Sequence, residues 1–322
     1  MSRPKIFVTR RIPEIGLHRL RESCEVDVWE DALPPLHANV MERTRDCVGL
    51  LSLLSDRIDV ALLDGCPVLR VVANYAVGFD NIDVSACTER GIAVGNTPGV
   101  LTEATADLAF CLLIAAARSL GAAERNVRAG EWRTWEPRGF VGRDLIGATL
   151  GVVGMGRIGA ALARRCHAGW GMRVLYAGPR AKPDVDTALG AQHVPLPQLL
   201  AECDFLSLHA PLTTATEHVI DARALALMKP SAVLVNTARG RLVDQMALHE
   251  ALASGRLFAA GLDVSDPEPL PPDHPLLTLR NCIVVPHVGS ATVGARDAMA
   301  EIAADNILLG IAGEPLRHAV GT

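Results

Sequence analysis

The chain has 322 residues, 49% of them hydrophobic and 21% charged, which excludes a disordered chain and, at about 150 residues per domain, suggests two domains. A formal net charge of −5 with no concentrated run of Lys and Arg excludes the electrostatic footprint of a nucleic-acid partner. Mean hydropathy is +0.24, yet the longest unbroken apolar run, 108–117, falls well short of the roughly 20 residues that a spanning helix needs, so no membrane partner is expected.

In chain order, short runs rich in Val, Ile and Leu at 6–9, 26–29, 48–51, 71–73 and 93–95 read as strands. Helical-length segments such as 15–22 and 84–90 lie between them. A turn cluster (Asn96, Thr97, Pro98, Gly99) closes this block, and an Ala/Leu/Arg-rich helix is predicted from Thr102 to about Ala129. A second alternation follows, with strands at 150–153, 174–176, 205–208, 233–236, 259–262 and 283–285, and helices at 157–168, 196–202, 244–254 and 295–309. The Pro-rich stretch 266–272 can be neither helix nor interior strand. The pattern predicts an α/β fold with two doubly wound parallel sheets. The N-terminal segment lacks a long apolar stretch, so a secretory signal is not expected and the chain reads as cytoplasmic. Eight cysteines stand singly at 24, 47, 66, 87, 111, 166, 203 and 282, a spacing of buried thiols in a reducing compartment rather than of disulfides or a metal site; no metal is expected.

The residues after the strand at 150–153 read Gly154-Met155-Gly156-Arg157-Ile158-Gly159, a G-x-G-x-x-G between a strand and a helix. Gly154 permits the tight turn, Gly156 lets the backbone approach a pyrophosphate, and Gly159 lets the helix pack on the strand. The helix beginning near Arg157 adds its N–H groups and dipole. The next strand ends Ala177-Gly178-Pro179-Arg180-Ala181-Lys182, with no acid before Asp184. An NAD site places an acid there for the ribose 2′-hydroxyl. Its absence, with Arg180 and Lys182 nearby, favours a 2′-phosphate and hence NADP, with NAD possible.

From here the sequence resembles the D-isomer-specific 2-hydroxyacid dehydrogenases, closest to their glyoxylate/hydroxypyruvate reductase branch. The matching residues include Asn74, Gly78, Asp80, Asn81 and Asp83, the turn at 96–102, the glycine turn, Cys203, His209 and Pro211, Asn236 to Gly240, Gly261 to Pro271, and Pro286 to Thr292. The resemblance implies a catalytic Arg–Glu–His set on Arg239, Glu268 and His287. Reducing a small 2-oxo acid takes a hydride from the nicotinamide, a proton for the developing alkoxide and a cation for the carboxylate and carbonyl. His287 would donate the proton, Glu268 beside it would favour the imidazolium, and the planar Arg239 would pair with the carboxylate. Taken singly, each would pass for a surface or structural residue. Together, in the family's order, they form the favoured reading.

Other roles follow from the same resemblance. Ala76, Val77 and Gly78 would offer backbone N–H groups to the substrate carboxylate, besides making a strand-to-helix turn. Asp263 would accept from the nicotinamide carboxamide. Cofactor contacts are implied at Thr102 (also a candidate helix cap), at Met155, Arg157 and Ile158 in the glycine turn, at Gly178, at His209, Ala210 and Pro211, at Thr237 and Ala238, and at Gly289. Trp135 either reaches a partner subunit's substrate pocket or packs a dimer. The implied architecture is a flavodoxin-like substrate domain of 1–100 plus 291–322, with a Rossmann domain of 101–290 inserted, substrate between the two, and a homodimer built on the helix near 104–120. Two alternatives remain open. A phosphonate (phosphite) dehydrogenase is weakened by Val77 where that branch has Lys, and a dinucleotide-sensing corepressor shares the Arg–Glu–His set.

Overall fold

The computed structural model describes residues 3–321, which divide into two compact units: one up to Leu101 that resumes at Ala291, the other Thr102–Ser290. In the first unit, β1 (Lys5–Val8), β2 (Glu25–Val28), β3 (Gly49–Ser52), β4 (Val71–Asn74) and β5 (Ala93–Gly95) form a parallel sheet in the order β2-β1-β3-β4-β5. Every residue of β3 and β4 is buried, as expected where helices cover both faces of a parallel sheet. The returning helix Val293–Ala312 packs against β3 and β4, and the chain beyond it lies on the sheet edge, where Val320 N–H donates to Val94 at 2.8 Å.

The second unit has seven parallel strands: β6 (Thr149–Val153), β7 (Arg173–Ala177), β8 (Gln192–His193), β9 (Phe205–Leu208), β10 (Val233–Asn236), β11 (Ala259–Leu262) and β12 (Cys282–Val284). Their order is β12-β11-β10-β9-β6-β7-β8. Successive residues alternate between two apolar layers: Val233 and Val235 join Leu150, Val152 and Phe205 on one face, while Leu234 joins Leu206, Leu175 and Ala260 on the other. The chain leaves β6 for β7 on one side and later returns to β9 on the other. The crevice at the strand ends between β6 and β9 is therefore the topological switch point, where open α/β sheets bind their ligands. The fold class is α/β with two doubly wound parallel sheets.

The structure corrects the long helix predicted from Thr102 to Ala129. It is two helices, Thr102–Ala117 and Leu120–Arg128, bent by 68° at Ser119, whose φ of 50° lies in the left-handed region. The break has a tertiary cause. Arg143 N–H takes the Ala117 carbonyl at 2.8 Å, and Gly142 sits so close to that carbonyl that a Cβ would overlap it. The short strand β8 and the helices His37–Thr44, Val60–Gly65, Pro183–Leu189 and Ala222–Leu227 are additional to those predicted. Among the described residues, no single helix is long and apolar enough to cross a membrane.

Candidate active site

The glycine turn follows β6 at the switch point. Gly154 has φ 92°, and a Cβ there would meet the His209–Ala210 backbone at 2.6 Å; at Gly159 a Cβ would meet the Gly154 carbonyl at 2.6 Å. At Gly156 a Cβ would meet nothing within 4 Å, so the peptide before the helix Arg157–Trp170 faces open space. Two glycines are thus required by packing, and the third leaves room for a diphosphate against the helix N-terminus. Met155 is buried, Ile158 half-buried and Arg157 exposed.

The strand β7 ends without an acidic residue. Gly178, Arg180 and Lys182 are all exposed. The loop is anchored from inside: the Tyr176 hydroxyl accepts the Lys182 N–H at 2.6 Å, and the His193 imidazole bonds the Gly178 carbonyl at 2.9 Å while stacking on Tyr176. After β9, His209 N–H donates to Val153 at 2.8 Å and its Nε2 lies 2.8 Å from the Ser207 hydroxyl. Desolvation pushes this imidazole down to about 4, so it is neutral at pH 7. Ala210 is buried and Pro211 exposed. The Thr237 hydroxyl is buried with no hydrogen-bond partner among the described residues, an orphan that a ligand polar group would satisfy. Together these features fit a dinucleotide: an open glycine cradle at a helix N-terminus, an orphaned hydroxyl, and a cationic loop where a carboxylate partner for the ribose is lacking.

The charged residues stand at the ends of β10, β11 and β12. Asn236, the last residue of β10 and 1% exposed, accepts the Ala238 N–H on its Oδ1 at 3.0 Å and donates through Nδ2 to the Arg239 carbonyl at 2.8 Å. This Asx-type turn aims the half-buried Arg239 off the strand end. The next residue, Gly240, lies directly on the backbone of Ser265 and Asp266, so close that a Cβ would overlap the Ser265 carbonyl. Arg239 is therefore carried on a loop pressed against the one that bears Glu268.

Asp263, which follows β11, is 1% exposed; its carboxylate accepts the N–H groups of Val288 at 2.6 Å and Gly289 at 2.8 Å. Burial raises its pKa in spite of those bonds and the nearby His287. The carboxylate ties down the chain that follows the imidazole, and the His287 N–H donates to the Asp263 carbonyl at 2.9 Å. His287 itself has φ 53°, a conformation that costs energy in any residue bearing a Cβ and that these bonds enforce. Its Nδ1 is hydrogen-bonded to Glu268 Oε1, which leaves Nε2 as the nitrogen turned to other partners. Glu268 and His287 are partly open to solvent, with 34% and 23% of their side chains exposed.

The structure thus brings Arg239, Glu268, Asp263, His287 and Gly289 onto adjoining loops of the second unit. Thr102 opens the helix Thr102–Ala117 in the same unit. Trp135 is 79% exposed, beside Trp132 and Phe140 in the segment after the bent helices. Ala76, Val77 and Gly78 belong to the first unit, in the loop after β4. There the carbonyls of all three residues accept internal bonds: Ala76 from Thr97 N–H at 2.9 Å, Val77 from Asn96 Nδ2 at 2.8 Å and Gly78 from Asn74 Nδ2 at 2.8 Å. Sequence reasoning missed the asparagines Asn74, Asn81, Asn96 and Asn236 as supports; an asparagine ending a buried strand was the available signal.

The model of the family described as D-isomer specific 2-hydroxyacid dehydrogenase, NAD binding domain, matches residues 110–289. The chain is 52% identical over 313 residues to a glyoxylate reductase of Korarchaeum cryptofilum, covering 97% of this chain and 94% of the relative. Among solved structures it is similar to the TT0316 protein of Thermus thermophilus, with a TM-score of 0.92 and 47% identity over 98% of this chain and 99% of that one. It is also similar to an NADPH-dependent glyoxylate/hydroxypyruvate reductase of Sinorhizobium meliloti solved with NADP and malonate, with a TM-score of 0.86 and 37% identity over 99% and 97% of the two chains. The chain belongs to the D-isomer-specific 2-hydroxyacid dehydrogenase family.

Proposed function

We propose that this protein reduces glyoxylate and hydroxypyruvate to their 2-hydroxy acids with NADPH, His287 donating the proton. The observation that carries the reading is the Glu268–His287 pair, held on the Asp263 carboxylate beside the Arg239 loop. The relatives named glyoxylate reductase support the substrate class.

The nicotinamide, when bound, supplies the hydride. The glycine turn and the exposed N–H groups ahead of Arg157 hold the diphosphate, Arg180 and Lys182 hold the 2′-phosphate, and Asp263 orients the carboxamide. His209, Ala210, Pro211, Thr237, Ala238 and Gly289 line the remainder of the cofactor site. Arg239 pairs with the substrate carboxylate and polarises the carbonyl. As negative charge grows on the substrate oxygen, the imidazolium Nε2 of His287 releases a proton to it, and Glu268 at Nδ1 fixes the ring and its tautomer. In the reverse direction the neutral imidazole takes that proton back. The apolar helix Thr102–Ala117 and the exposed Trp135 serve a homodimer, and the first unit binds substrate through the N–H groups that follow β4.

A panel of glyoxylate, hydroxypyruvate, pyruvate and phosphite with both nucleotides tests the reading. Glyoxylate and hydroxypyruvate should turn over at about 1 per second or faster, an ordinary enzymatic rate, and phosphite not at all. A tenfold or greater preference in kcat/KM for NADH, roughly 1.4 kcal/mol, sinks the nucleotide assignment. Turnover of phosphite alone replaces the substrate assignment.

A further inference from the structure

We propose that Asn96 is a positioning residue: together with Asn74 and the Thr97 N–H, it fixes the planes of the three consecutive peptides after β4 whose N–H groups the reductase reading gives to the substrate carboxylate. The inference rests on the reductase reading for the identity of the anion, and on the geometry of this loop for everything else.

A trans peptide is planar, so its N–H points opposite to its C=O. The Ala76 carbonyl is held by Thr97 N–H, the Val77 carbonyl by Asn96 Nδ2 and the Gly78 carbonyl by Asn74 Nδ2. The N–H groups of Val77, Gly78 and Phe79 are therefore turned away from those partners. Among the described residues none of these three N–H groups has an internal acceptor. Val77 and Gly78 are half-buried and Phe79 is 42% exposed, so the row lies at the surface of the unit. Successive N–H groups on one side of a turn form a concave site for an anion.

The asparagines that hold the carbonyls are themselves held. Asn74 is fully buried, its Oδ1 accepts the Ser52 hydroxyl at 3.2 Å, and its Nδ2 also donates to Asn81 Oδ1 at 3.1 Å. Asn81 in turn donates to the carbonyls of Leu53 at 3.1 Å and Asp56 at 2.9 Å, which joins the loop after β3 to the loop after β4. Asn96 is 8% exposed. Its carbonyl accepts Asn306 Nδ2 at 3.1 Å, and its N–H donates to the His318 carbonyl at 3.2 Å. Asn306, from the returning helix, also accepts the His318 N–H at 3.2 Å. It can approach because Gly95 has no Cβ, an atom that would stand 2.7 Å from the Asn306 amide. The C-terminal helix thus braces the residue that sets the Gly78 peptide plane. The Val77 carbonyl needs a donor from position 96, and an aspartate or an alanine offers none.

The test is Asn96→Ala, which removes the donor without adding charge, with Asn96→Asp as the near-isosteric second variant should the first fail to fold. Protein labelled with 15N at valine, glycine and phenylalanine is titrated with oxamate as the carboxylate probe, and glyoxylate kinetics are measured in parallel. In the wild type the amide resonances of Val77, Gly78 and Phe79 should shift on titration. In the variant the Gly78 response should be lost and KM for glyoxylate should rise about tenfold, with kcat and KM for NADPH within about twofold. A purely structural role would not produce that split. If the three wild-type amides ignore oxamate, or if either variant keeps both the Gly78 response and the glyoxylate KM, the inference is overturned whatever the enzyme turns over. Amides that respond in a protein that reduces no 2-oxo acid leave the cradle standing and sink the reductase reading instead.

Discussion

Strand β4 of the first unit and strand β10 of the second both end on a buried asparagine whose amide donates back to a carbonyl of the following loop, Asn74 to Gly78 and Asn236 to Arg239, each at 2.8 Å. The loops differ in what they then present. After β4 the peptides of Ala76 to Phe79 offer N–H groups and no charged side chain. After β10 the same kind of clamp delivers a guanidinium, set against the loop that carries a carboxylate hydrogen-bonded to an imidazole. One local device, repeated on two parallel sheets, presents a neutral row of N–H groups in one unit and a charged cluster in the other; the proposed function makes the first a binding edge and the second a reactive one. The turn chemistry fixes where the backbone points, and the residue placed on it decides whether the edge presents bare peptide groups or charge.

The sharpest way to break this contrast is to remove His287, the proposed proton donor, from the charged edge. His287→Ala should lower kcat for glyoxylate by about 100-fold or more near neutral pH, the usual weight of a general acid, while KM for NADPH changes little. A variant that retains most of the wild-type kcat shows that the second unit only binds, and the contrast fails.

A smaller effect separates the two clamps. Asn236→Ala frees the Arg239 carbonyl and leaves the Ala238 N–H without its acceptor, a loss of about 1 kcal/mol per bond. Because Arg239 is assigned to the substrate carbonyl as well as the carboxylate, kcat should fall about fivefold to tenfold along with a rise in KM. The clamp at Asn96 should move KM alone. Steady-state kinetics on both variants side by side decide the matter. If Asn236→Ala leaves kcat within twofold of wild type, the two asparagines act alike and the division between binding and reacting edges dissolves.

Much of this was legible in the sequence for a physical reason. Strands buried on both faces of a parallel sheet must be continuous apolar runs, so β1, β4, β9, β10 and β11 stand out without any alternation to help. The glycine turn was legible because Gly154 and Gly159 are demanded by close backbone contacts. Arg239, Glu268 and His287 could be named only through the family resemblance, since each alone is an ordinary polar residue. The break at Ser119 could not be read locally, because it is made by Gly142 and Arg143 folding back on the Ala117 carbonyl. The short β8 pair, Gln192 and His193, is exposed and carries no apolar signal. The asparagine clamps escaped because their partners depend on how a loop returns. Only the Asn74–Gly78 and Asn236–Arg239 pairs are close enough along the chain to have been anticipated.

The last expected effect is on stability rather than turnover and concerns a histidine that the second unit keeps neutral. His209 stands at the end of β9, against Ser207, and desolvation holds its pKa at about 4 rather than near 6.5. The unfolded chain therefore takes up a proton near pH 6.5 that the folded chain refuses until about pH 4. Its contribution to stability is complete above pH 6.5 and drains away as the pH falls to 4, by about 3 kcal/mol at most. The buried Asp263 acts with the opposite sign: its raised pKa makes the folded state the better proton acceptor, so acid favours folding at that group. Only the difference between wild type and a His209→Asn variant isolates the histidine. Thermal midpoints of the two should run parallel from pH 7 to 9, with the wild type losing ground by a few degrees as the pH drops from 6.5 toward 4. Parallel curves through the acid range would mean that His209 protonates freely in the fold. The second unit's edge would then carry a further positive charge in acid, beyond the Arg239, Glu268 and His287 group on which the contrast with the first unit depends.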